Sequence, residues 1–128
     1  MPITSKTDWS NNLTTFIVSG EISADETLSV FKAFYENPDH PPTLNILWDL
    51  RDIIPSPSIT DEGINGVVTY FSKHVSKRIG GKTAVVARSD FEYNFGKKYE
   101  LFTQLNVQSV TVDVFRSLGE AMIWLGDS

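Results

Sequence analysis

No cysteine occurs anywhere in the 128 residues. That single absence removes disulfides, thiolate metal sites and thiol nucleophiles together, and it is ordinary in a reducing compartment, so a cytoplasmic setting is expected. Histidine is nearly as scarce. His40 lies in the proline-rich stretch Asp39-His40-Pro41-Pro42 and His74 on the polar side of a predicted helix, neither with a second histidine or carboxylate at ligand spacing, so no metal site is expected.

Long apolar runs are missing too. No stretch approaches the ~20 apolar residues of a membrane span, and Met1 to Lys6 lacks the apolar stretch of a signal peptide, so neither membrane insertion nor a targeting segment is expected. A basic stripe is likewise absent, and the net charge of −5 repels phosphate backbones, which argues against nucleic acid. The one basic cluster, Lys73 to Lys77 with Arg78 and Lys82, surrounds a helix end, where cations complement the helix dipole; it leaves an acidic partner open.

Catalytic and cofactor motifs do not form either. Gly81-Lys82-Thr83 echoes the end of a phosphate-binding loop, but the earlier glycine would fall on Ser76 and the triplet precedes a strand rather than a helix. Glycines 63, 66, 80, 81 and 96 never produce Gly-x-Gly-x-x-Gly after a strand, and no nucleophile elbow occurs. We therefore expect no cofactor and no enzyme activity, and a protein that works by binding.

What is present is enough for one core. An apolar fraction of 41% with 12% aromatics offsets the entropy of ordering a chain of this length, which implies a single domain over 1–128. Leu13 to Gly20 reads as a strand and Ser23-Ala-Asp-Glu26 as a capping box opening a helix. That helix carries Leu28, Phe31 and Tyr35 on one stripe with Val30 and Phe34 beside it, and stops near Asn37-Pro38.

Thr43 to Leu50 reads as a buried strand, and Arg51 to Ile59 as the loop after it. A second helix from about Thr60 places Ile64, Val67, Val68, Phe71 and Val75 at spacings of three and four. Thr83 to Ala87 has the continuous apolar character of a central strand covered on both faces. Ser89-Asp-Phe-Glu92 is a second capping box, for a helix stacking Phe91, Phe95 and Tyr99 with Phe102 and Leu105, and with Asn106 as its left-handed cap. Val107 to Phe115 is the last strand. Ser117-Leu-Gly-Glu120 caps a final helix whose Leu118, Ala121, Met122 and Leu125 are expected to face inward.

The result is an α/β fold of four successive βα units with a mostly parallel or mixed sheet flanked by helices, plus a further edge strand over residues 3 to 9.

Several elements, taken together and in order, carry a resemblance. They are Gly81-Lys-Thr-Ala-Val-Val-Ala87, Ser89-Asp90, Phe95-Gly96 ahead of Glu100, Val114-Phe115-Arg116-Ser117-Leu118-Gly119-Glu120-Ala121, and Trp124-Leu125. Gly20-Glu21-Ile22-Ser23-Ala24-Asp25-Glu26 and Asp49-Leu50 fit the same pattern, which spans roughly residues 12 to 126. The chain resembles the bacterial SpoIIAA-like family. The resemblance implies a STAS-like domain, similar in fold to CRAL-TRIO lipid-transfer domains, that binds rather than catalyses. In anti-sigma-factor antagonists the second helix starts on Asp-Ser-Ser-Gly with a phosphorylatable serine. Here the stretch is Pro57-Ser58-Ile59-Thr60, without the Asp or the Gly, so Ser58 is at once the nearest phospho-acceptor candidate and an ordinary helix cap.

Two functional readings follow. One is a non-enzymatic regulatory or protein-interaction module, a homodimer or with a protein partner, working through Asp49 to Thr60 and the starts of the second and third helices. Its candidate surface includes Trp48, Asp49, Arg51, Ile53, Ile54 and Ser58. The other is a small carrier of a lipophilic ligand, with Trp48, Phe71, Phe95 and Tyr99 lining a pocket. Asp49 and Asp52 end a strand where open α/β sheets place ligand sites, with a local Asp/Arg network as the plain alternative. Gly96, amid aromatics in a helix, implies close approach of a neighbouring strand, helix or ligand.

Overall fold

The computed structural model describes residues 3–21, 23–36, 44–54, 62–63, 65–66, 69–70, 81–88, 90, 93–94, 96–98, 100–101 and 111–126. Five strands, β1 (Ile3–Asp8), β2 (Leu13–Gly20), β3 (Asn45–Ile53), β4 (Lys82–Val86) and β5 (Thr111–Phe115), form one sheet in that order. β1 is antiparallel to β2, and the other neighbours are parallel. The sheet is thus mixed, with the expected edge strand in place.

A tight turn joins β1 to β2. The Asp8 carboxylate accepts from the Ser10 N–H at 3.1 Å and hydroxyl at 2.7 Å and from the Asn11 amide at 2.7 Å. Asn12 then takes the left-handed conformation at φ 54° and donates to the Trp9 carbonyl. Asparagine tolerates that region better than other residues with a Cβ, so it can reverse the chain without glycine.

Alternation along the strands separates two apolar faces. On the first, Ile3, Phe16, Val18, Ile46, Trp48, Leu50, Val85, Val112 and Val114 are buried beneath Phe34 and Val30 of helix α1 (Ala24–Glu36), with Tyr70 and Tyr93 from two further helical segments. On the second, Leu13, Leu47, Ala84 and Val86 are buried under Ala121 and Leu125 of the last helix, Leu118–Gly126. β3 is buried on both sides from Ile46 to Leu50, which is why its sequence is nearly continuous in apolar residues.

Both described capping boxes form at their serines. Ser23 Oγ accepts from the Glu26 N–H at 3.1 Å and Ser117 Oγ from the Glu120 N–H at 3.2 Å, each satisfying one donor that a helix start leaves open. The capping box at Ser89 lies outside the described residues, as do His40, His74 and Asn106. The far end of the last helix is held by Lys82, whose ammonium donates to the Trp124 carbonyl at 2.9 Å and stands 5.1 Å from the centre of its ring. A cation there also complements the negative end of the helix dipole.

Two expectations are corrected. β3 continues through Arg51 to Ile53 instead of ending at Leu50, because its register against β2 slips by one residue between the pairs Ile17–Asp49 and Ser19–Asp52. That bulge turns Ile53 to the same face as Leu50, where both are buried. Met122 is 42% exposed rather than inward. Leu118, Ala121 and Leu125 already fill the stripe against the sheet, and at ~100° per residue Met122 falls on the helix flank.

Candidate functional site

Parallel strands point their C-terminal ends the same way, so β3, β4 and β5 deliver Arg51, Arg88 and Arg116 to one edge. The bulge in β3 supplies the first. Asp49 accepts from the Arg51 N–H at 3.1 Å and from its guanidinium through both oxygens, each at 2.9 Å. Partial burial works to raise the Asp49 pKa, but these hydrogen bonds and the Arg51 charge, with Arg88 further off, outweigh it and hold the carboxyl below its ordinary value. Arg51 is pushed up in turn, first by its hydrogen bonds to Asp49 and then by the Asp49 charge. An aspartate held ionised in this way anchors a strand end and is a poor proton donor at neutral pH.

Replacing Asp49 by asparagine is expected to cost about 1–3 kcal/mol, since it removes charge-assisted bonds from a mostly buried group. The sign with pH follows from the lowered pKa. Stability from ionised Asp49 is complete above the unfolded value of about 3.9 and is lost as pH falls through the lower folded value. The stability difference between parent and Asp49→Asn in urea titrations should therefore shrink steadily in the acid range; a difference independent of pH would show that Asp49 is not the linked group.

Arg88 donates to the Arg51 carbonyl at 3.0 Å and reaches Asp52 at 3.4 Å. Arg116 donates to Asp90 at 3.0 Å and lies over the Tyr93 ring, 4.2 Å from its centre. Lys97 stands near the same ring at 5.7 Å and pairs with Glu100 at 3.3 Å. Arg88 and Arg116 were not singled out as site residues from the sequence. The signal was there, in an arginine recurring near the C-terminal end of three strands, within β3 and one or two residues beyond β5 and β4, but only the sheet pairing makes the recurrence a row.

The other expected site residues separate. Ile54 is 52% exposed while Ile53 is in the core; the Ile54 N–H donates to the Gly20 carbonyl at 2.9 Å, which fixes the chain direction there. Trp48 is buried and stacked on Phe16 at 4.5 Å. Gly96 is also buried, and a Cβ on it would come within 3.1 Å of Val85 and of Val114, so the close approach is to β4 and β5. Ser58, Phe71, Phe95 and Tyr99 lie outside the described residues. Among the described residues no group of three or more histidine and carboxylate side chains could hold a metal ion, and no helix is long and apolar enough to cross a membrane.

No family model and no curated protein matches the sequence. A solved structure does: an uncharacterised protein of the DUF3478 family from Shewanella loihica PV-4, described as having a SpoIIAA-like fold, with 13% identity, a TM-score of 0.60, and coverage of 96% of this chain and 91% of that one. At that identity the likeness speaks for architecture, and with the five-stranded mixed sheet and its helices it establishes that this chain has an α/β, SpoIIAA-like fold.

Proposed function

We propose that the protein is a non-enzymatic, cytoplasmic STAS-like interaction module whose working surface is the edge formed by the ends of β3, β4 and β5. The observation that carries this reading is Ile54, a large apolar side chain left 52% exposed at the end of a core strand, on an edge where the Arg88–Asp52 and Arg116–Asp90 pairs are themselves solvent-exposed. An apolar anchor inside a polar rim is the composition of a protein-binding surface. A photo-crosslinking residue at position 54 should trap a discrete partner in cells, whereas one at Thr111, at the opposite end of the sheet, should not. Equal trapping at both positions, or at neither, would sink the proposal.

A homodimer is favoured by a different observation. Ile123 is 71% exposed on the last helix beside Met122, and Ile17 is exposed on the same face of the sheet, so a second copy has apolar surface to cover. Sedimentation of the parent and of Met122→Ser/Ile123→Ser should then differ by one assembly step; a monomeric parent would remove this contact. The lipophilic-carrier reading rests on Trp48, Phe71, Phe95 and Tyr99. It ranks second because the packing of Trp48 against Phe16 already accounts for that ring.

A further inference from the structure

The second face of the sheet is only half covered. β2 to β5 advance across the sheet in one direction, so right-handed crossovers place the connecting helices on one face, the first, where α1 and the segments of Tyr70 and Tyr93 pack. On the second face the last helix lies over β4 and reaches β3 and β5. β1 and β2 stay open there, with Thr4, Lys6 and Ile17 exposed in the register Thr4–Ile17 and Lys6–Thr15. The last helix itself is apolar on nearly every side, the pattern of a helix buried all round, yet the sheet covers one side only. Helix geometry assigns the others. Leu118, Ala121 and Leu125 pack toward the sheet, and Trp124 turns to Phe115 of β5 at 5.4 Å. At about 100° per residue, Met122 then flanks the open half, Ile123 points away from the sheet, and Glu120 points away on the β5 side; all three are exposed, Ile123 by 71%.

We propose that two copies of this chain meet by the second face, each laying its last helix over the open β2 of the other, with Glu120 of one copy paired to Lys6 of its partner. This rests on the dimer reading and adds how the copies fit. The spacing allows it. β4 and β2 are two strands apart, about 10 Å, which matches the separation of about 8–10 Å between the axes of packed helices. A two-fold axis along β3 therefore sets the two helices side by side in one layer between two sheets. Met122 then meets its counterpart, and the partner's Ile123 points onto β2. The same axis preserves levels along the strands. Asn45 Nδ2 donates to the Leu125 carbonyl at 3.5 Å, which puts Leu125 near the row Leu13–Asn45. Four residues back along the helix is about 6 Å, and two residues on along the strands is about 7 Å. Ala121 and Glu120 thus stand level with the row Lys6–Thr15–Leu47–Ala84. Glu120 faces the β5 side of its own sheet, and the rotation carries it to the β1 side of the partner's, where Lys6 is exposed. Glu120 is the one charge on the last helix, and Lys6 the one cation on β1 and β2.

The test is sedimentation equilibrium of the full chain and of charge variants at these two exposed positions. Lys6→Glu and Glu120→Lys should each raise the dimer Kd by about tenfold, since the two-fold axis repeats the pair twice per dimer. Both changes in one chain should bring the Kd back to within about threefold of the parent, because the pair is then restored with its signs exchanged. On the parent, a carbodiimide, which couples an amine directly to a carboxylate, should join Lys6 to Glu120 between isotopically labelled and unlabelled chains. No rescue in the double variant, or a cross-linked dimer without the Lys6–Glu120 peptide, would overturn the proposal, and if a single variant fails to fold the cross-link decides. A parent dimer that Met122→Ser/Ile123→Ser dissociates while Lys6→Glu leaves it unchanged would keep the dimer reading and overturn this docking. A monomeric parent would overturn both.

Discussion

Truncating Trp48 to alanine should destabilise the domain by about 3–5 kcal/mol, the range for removing a large aromatic from a packed core. The ring sits on the doubly covered central strand, 6% exposed, stacked on Phe16 at 4.5 Å with an interplanar angle of 23°. Phe16 in turn meets Phe34 of α1 edge-on at 5.8 Å, so the three rings tie β2, β3 and the first helix together. A double-mutant cycle with Phe16→Leu should show a coupling of about 0.5–1.5 kcal/mol beyond the burial of each ring. Urea denaturation of the four proteins measures it, and strict additivity would mean that the stack contributes nothing of its own. Native mass spectrometry on the same proteins bears on the carrier reading: a bound mass present in the parent and absent in Trp48→Ala would return Trp48 to a pocket lining.

Substituting Gly96 by valine should lower stability by about 2–3 kcal/mol, the cost of forcing extra carbon into a filled core. Even a single Cβ there would lie 3.1 Å from Val85 Cγ1, 3.1 Å from Val114 Cγ1 and 3.3 Å from Val114 Cγ2. The glycine therefore costs its helix about 1 kcal/mol relative to alanine in exchange for seating the helix against β4 and β5. The test of this cause is rescue. Val114→Ala removes two of the three crowding atoms, so Gly96→Val should be markedly less harmful in that background than in the parent. If thermal unfolding shows the two losses simply adding, the crowding at Val114 is not what makes glycine necessary.

The bulge in β3 explains why part of the site was illegible. Strict alternation from Trp48 and Leu50 puts Asp52 on their face of the sheet and Ile53 on the other, and nothing in Asp49-Leu-Arg-Asp-Ile-Ile54 marks the extra residue that reverses this. The start of α1 was readable because Ser23 caps it, and Val30 and Phe34, expected beside its stripe, pack against the sheet, while the side chains of Phe31 and Tyr35 lie outside those described. Met122 was misplaced because the last helix is apolar on almost every side, and periodicity cannot choose a buried stripe when hydrophobic residues surround the axis. The Asp49–Arg51 pair was legible as a local network, since a carboxylate and a guanidinium two residues apart meet through the chain itself.

The sequence by itself determined the α/β class, the strand over Leu13–Gly20, the serine caps and the lack of thiol chemistry, because each depends on local periodicity, on contacts within one turn, or on composition. Only the tertiary structure decided that β1 pairs antiparallel at the edge, that Gly96 is seated against Val85 and Val114, that Ile54 rather than Ile53 is presented, and that Arg51, Arg88 and Arg116 form one row. These are consequences of pairing and register between distant segments. A one-residue slip changes which face every later side chain occupies while leaving composition and local pattern untouched.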